Sequence, residues 1–153
     1  MSTQQGGQQG REQALQRLAL GVQADLNDYG SLQVLLQTQF EAALRHQTAG
    51  LAQVADEITA LCQILQARRL ERVTLVAQCA ELARDASPQE KVEALLAHLP
   101  SAYRGAAQAI WHKLQALVHE CKALNVRNCT LLMDQHEIMQ RVLNDESDIY
   151  VPL

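Results

Sequence analysis

From Arg11 onward, apolar side chains recur every three or four residues, the spacing of one face of an α-helix. Leu15, Leu18, Val22, Leu26, Tyr29, Leu32, Leu36, Phe40 and Ala43 advance 28 residues in eight steps. That mean of 3.5 residues belongs to a narrow coiled-coil seam rather than a broad globular face. The pattern falters at His46-Gln47-Thr48-Ala49-Gly50, where Thr48 is placed to cap a second helix. Leu51, Val54, Ile58, Leu61 and Leu65 resume a seam. Arg68-Arg69-Leu70-Glu71-Arg72 interrupts it, and Val73, Val76, Ala80 and Ala83 carry it on. Ser87-Pro88-Gln89-Glu90 then reads as a capping box, with Ser at the cap, Pro in the first helical position and Glu three beyond the cap. Val92, Leu95, Leu96 and Leu99 follow on one side of a short helix that Pro100 ends, and Ser101 can cap the next.

The last seam is the most regular. Tyr103, Ala107, Ile110, Leu114, Leu117, Cys121, Leu124, Asn128, Leu131, Gln135, Ile138 and Val142 alternate spacings of 4 and 3 without a slip. These signals predict helices over 11–46, 49–85, 88–99 and 102–144, the last about 60 Å long at 1.5 Å per residue. Residues 1–10 carry no apolar side chain after Met1 and are expected to be disordered. Asp145-Glu146-Ser147-Asp148 should stop the last helix and leave 147–153 as a tail. Short connections make successive long helices antiparallel neighbours. The expected fold is all-α: an elongated, coiled-coil-like antiparallel bundle of three long helices with one short helix across an end.

Composition narrows the class. Leu (24), Ala (22) and Gln (20) are all helix formers, and five aromatics among 153 residues do not suit a β-sandwich or barrel. Basic and acidic side chains cancel over residues 1–129, so the net charge of −4 sits wholly in the last 24 residues. Such even balance argues against a nucleic-acid partner. No run approaches the roughly 18 apolar residues of a membrane span, and the start lacks the pattern of a signal peptide, so a cytoplasmic protein with no direct membrane insertion is expected. Cys62, Cys79, Cys121 and Cys129 form no CxxC pair and read as reduced, small hydrophobes.

Chemistry is sparse. No Glu-x-x-His pair occurs, and His112 and His119 share a helix face without a third ligand, so neither metal nor cofactor is expected. No nucleophile elbow or phosphate loop is present, which argues against an enzyme. His46 and Gly50 have the spacing of a phosphotransfer helix, but Ala49 stands where such a site needs a cation. An exposed histidine in a turn fits His46 better. The anomaly is polar Asn128 and Gln135 on an apolar seam, flanked on more than one side by Leu131, Leu132, Ile138, Met139, Val142 and Leu143. A buried Asn can set helix register at a cost in stability. Apolar flanks wider than a bundle needs suit a second protein, and burial against the first two helices accounts for them equally well.

The segment Leu124-Asn125-Val126-Arg127-Asn128-Cys129-Thr130-Leu131-Leu132 resembles the Leu-Asn-x-x-Asn-x-x-Leu-Leu signature of the FlgN family of flagellar export chaperones. Leu32 to Glu41, Leu44, Leu51, Val54, Ile58, Leu61 and Arg69 are similar to the family's long hairpin, and Asp148-Ile149-Tyr150 to its Tyr-bearing tail. The resemblance implies a non-enzymatic chaperone of the hook–filament junction proteins FlgK and FlgL, which docks at the export gate protein FlhA. It maps client binding to Leu124, Asn128, Leu131, Leu132, Gln135, Ile138, Met139 and Val142, and the gate contact to Tyr150. Two other readings fit the same chain. One is a coiled-coil adaptor or homodimeric structural protein closed by the last seam, and the other is a phosphotransfer bundle acting through His46. The sequence leaves the oligomeric state open.

Overall fold

A computed structural model describes the backbone of residues 2–150 and the side chains of 4–144. The chain is all-α, as its periodicity predicts: α1 (Ser2–Leu44), α2 (Thr48–Gln78), a 3₁₀ turn (Ala80–Ala83), α3 (Lys91–Leu96) and α4 (Ser101–Tyr150). Helix α1 is central. It packs against both α2 and α4, whose backbones scarcely meet each other. α2 runs antiparallel to α1, whereas α4 runs parallel to it. Cys121 reaches the Tyr29 carbonyl, Asn128 the Leu36 carbonyl and Gln135 the Ala43 carbonyl, advancing by seven residues on both helices. Among the described residues, no helix is long and apolar enough to cross a membrane.

Several boundaries differ from the sequence expectation. Residues 2–10, expected to be disordered, continue α1 toward its N-terminus. Extending a helix already nucleated and packed fixes one residue per added bond, which Gln tolerates well. For the same reason α4 passes through Asp145-Glu146-Ser147-Asp148, where no Pro or Gly breaks it, and ends at Tyr150 rather than 144. Helix α2 stops at Gln78 rather than 85, and the 3₁₀ turn follows. The capping box does not form. Ser87 to Glu90 make a turn closed by the Glu90 amide on the Ser87 carbonyl (2.9 Å), and α3 starts only at Lys91. Helices α2 and α4 likewise begin at Thr48 and Ser101, the residues expected to cap them.

The core has two apolar parts. One lies under the 79–99 connection, where Leu15 and Leu18 of α1 meet Leu75, Leu95, Leu96 and Leu99. The other lies mid-bundle, where Leu32 and Leu36 meet Leu65 of α2 and Cys121 of α4. Between them sits a carboxylate. Asp25 is 1% exposed and accepts from Arg68 Nη1 (2.7 Å) and Arg72 Nη1 (2.6 Å), while Asp28 also binds Arg68 at 2.9 Å. The hydrogen bond to Asp25 outweighs burial and raises the Arg68 pKa above its usual value. Leu15, Leu18, Val22, Asp25, Tyr29, Leu32 and Leu36 alternate steps of 3 and 4. Asp25, not Leu26, therefore occupies the buried position at that level, and the arginines that appear to interrupt the α2 seam are its partners.

The α1–α2 turn explains His46. The Gln47 amide donates to the Ala42 carbonyl (3.0 Å) and the His46 amide to the Ala43 carbonyl (3.2 Å), the pair of bonds that closes a Schellman motif. His46 holds the left-handed position with φ of 55°. A side chain there is strained where Gly is not. His46→Gly should therefore raise stability by about 1 kcal/mol, or roughly 3 °C in Tm, measured by thermal unfolding.

Candidate functional site

The residues singled out on the last seam divide along α4. Its middle is committed to α1. Asn128 is 1% exposed, and its amide donates to the Leu36 carbonyl (2.7 Å) and Gln39 Oε1 (2.9 Å). Its own Oδ1 accepts two bonds from Arg127, each 3.1 Å. The Arg127 guanidinium lies 3.7 Å over the Phe40 ring and also reaches Gln37 Oε1 at 3.3 Å. Leu124 packs on the mid-bundle core, and Gln135 Nε2 donates to the Ala43 carbonyl at 2.9 Å. The Leu-Asn-x-x-Asn segment is thus a polar clasp that fixes α4 in register on α1. Seam positions that look unfavourable as isolated residues are satisfied by helix carbonyls and side chains of α1.

Beyond Gln135 the helix outruns α1, which ends at Leu44. Ile138 and Met139 are each 60% exposed, and Val142 is 51% exposed. They face the start of α2 across an open groove of about 500 Å³ whose other side is Thr48 and Leu51. Leu132 and Gln135 close its inner end, and Leu131 beside them is half-buried. The sequence pattern placed Leu51 on a seam of helix two but gave no sign that it lines a groove with α4. That follows only from the tight turn at His46, which sets the first turn of α2 beside the end of α4. His46 itself is exposed and lines this groove. The side chain of Tyr150 lies outside the described residues.

Other chemistry is limited. Among the described residues, no group of three or more His, Cys, Asp or Glu could hold a metal ion. His112 and Glu93 pair at 3.1 Å, tying α3 to α4. Cys79 and Cys121 are buried, whereas Cys62 and Cys129 are exposed. Burial pushes the Cys121 thiol up to about 11 from its usual 9.0, and raises Cys79 as well. The thiolate is the reactive form, so these two are doubly protected. A thiol reagent at about pH 8 should modify Cys62 and Cys129 rapidly, and the other two only upon unfolding, as read by mass spectrometry. Cys121 holds its proton more tightly when folded. Its contribution to stability is complete below pH 9.0 and is lost as pH rises toward about 11.

The family model described as FlgN protein matches residues 14–144. No curated protein and no solved structure matches the chain. The matched span runs from Ala14, where burial of α1 begins, through the Asn128 clasp and past the exposed Ile138, Met139 and Val142. The chain belongs to the FlgN family, a family of flagellar export chaperones.

Proposed function

We propose that this chaperone binds the C-terminal helical segments of the hook–filament junction proteins FlgK and FlgL in the cytoplasm. It holds them unpolymerised and delivers them to the export gate protein FlhA. The observation that carries the reading is the far end of α4. Gln135 anchors the helix on α1, and Ile138, Met139 and Val142 then stand unburied beside Leu51. A large apolar patch on an anchored helix is what a helix-in-groove partner needs. Client ends of this kind are amphipathic and pair with one another only in the assembled structure. A chaperone helix with a free apolar face replaces that missing neighbour. Leu131, Leu132, Ile138, Met139 and Val142 are the contacts in this proposal. Leu124, Asn128 and Gln135 contribute by holding α4 in place. Tyr150 is the proposed gate contact, on the same helix eight residues beyond Val142.

Affinity should be moderate, because the client must order on binding and later be released. The test is calorimetric titration of the full chain with purified C-terminal segments of FlgK and FlgL. Saturable one-to-one binding is expected. A protein that ignores both segments and forms a concentration-dependent dimer through α4 would overturn the reading.

A further inference from the structure

Helices α2 and α4 both pack on α1 while their backbones scarcely meet, which leaves open space between them. It opens in two places. The outer opening is the groove beside Leu51 and Leu132 described above. The inner one, about 220 Å³, has Tyr29, Leu32 and Leu36 of α1 as its floor, Ile58 and Cys62 of α2 as one wall, and Val118, Lys122 and Asn125 of α4 as the other. Leu51 and Ile58 are seven residues apart on α2, and Asn125 and Leu132 are seven apart on α4. One heptad on each wall thus joins the two openings in line. From Val118 to Val142 the path measures about 36 Å at 1.5 Å per residue.

We infer that this gap is one continuous trough that takes an amphipathic client helix with acidic flanks as the fourth helix of the bundle. The inference rests on the proposed client binding and extends it from the end of α4 to the middle of the molecule. Three observations identify the occupant. The gap is bounded by two helices that already touch a common third, the arrangement left when one helix of a four-helix bundle is removed. The part walled on both sides, from Thr48 to Cys62 along α2, is about 21 Å long and accommodates about four helical turns. Its lining also carries a positive charge at the inner opening, whereas the chain as a whole is net negative. Lys122 lines the inner opening, and none of the described residues that line either opening is a carboxylate. Among the described residues, Lys122 has no ion-pair partner, so a carboxylate on the incoming helix is its natural complement. A second copy of the chain, itself acidic through its last 24 residues, is the alternative occupant.

Cys62 is a native probe of the inner opening, being exposed and more than two helical turns from Leu51. The experiment is peptide-resolved thiol labelling of the full chain with and without a saturating FlgK or FlgL C-terminal segment. Labelling of Cys62 should slow by roughly tenfold or more in the complex. Lys122→Glu should weaken binding by roughly tenfold at low salt and less at high salt, with Tm unchanged. A segment that binds while Cys62 labels at its free rate would confine the client to the end of α4 and overturn the trough, leaving the proposed function standing. Cys62 protected but Lys122→Glu binding at full affinity would overturn the acidic flank. Failure of both segments to bind would remove the client reading and the trough with it. Labelling that slows with protein concentration alone would place a second copy there and overturn the assignment.

Discussion

Asp25→Ala should lower the stability of this chain by about 3 kcal/mol, a fall of roughly 10 °C in Tm, measured by thermal or urea unfolding. The carboxylate is 1% exposed and accepts two short charge-assisted bonds, so it has no water to turn to. Among the described residues, removing it leaves Arg72 without a carboxylate partner and Arg68 with Asp28 alone, between two apolar clusters. Each arginine side chain keeps 20% exposure, which lets water soften the loss and places the effect at the lower end for a broken buried pair. The cost belongs to the orphaned partners rather than to any large net gain from the intact cluster. Replacing Asp25 with Leu and both Arg68 and Arg72 with Met should accordingly return stability to within about 1 kcal/mol of the parent. An Asp25→Ala protein with unchanged Tm would show that the arginines lose nothing with their partner.

The double substitution Ile138→Glu and Met139→Glu should cut affinity for the FlgK and FlgL segments by at least about 100-fold, or about 2.7 kcal/mol. Two carboxylates would have to be desolvated against the client's apolar stripe. Both positions are 60% exposed in the free chain, so helicity and Tm should not move. That separation of binding from folding is the useful feature of the experiment. Charged substitutions at Leu36 or Leu114, which are buried, would remove binding by unfolding the bundle and would say nothing of the surface. Full affinity in the doubly substituted protein would take the client off the end of α4.

The bundle was legible because burial along a long helix is periodic. The seams of α1 and α4, the turn near residue 46 and the short helix before Pro100 all follow from spacing. What misled was local chemistry read without its neighbours. Ser87-Pro88-Gln89-Glu90 has the residues of a capping box, yet Leu95, Leu96 and Leu99 pack under the 79–99 connection and draw the chain into a turn first. Residues 2–10 are too polar to fold alone, but they need only extend a helix anchored from Ala14 onward. Leu26 fits an apolar seam as well as its neighbours do, and only the approach of Arg68 and Arg72 makes Asp25 the buried residue.

The candidate site divides the same way. Composition, period and the Leu-Asn-x-x-Asn signature sufficed for an all-α rod of the FlgN family with surplus apolar surface on its last helix. They could not tell which of those residues are spent on the molecule itself. Asn128 and Val142, two heptads apart, occupy equivalent seam positions, yet one is buried in a clasp on α1 and the other is open. The difference is where α1 ends. A helix pattern fixes which side chains share a face, because that is local geometry. Whether the face is covered depends on the length and direction of the neighbour. The parallel run of α4 on α1, the tight turn at His46 and the gap left beside α2 are consequences of packing, and they alone decide which apolar residues remain for a partner.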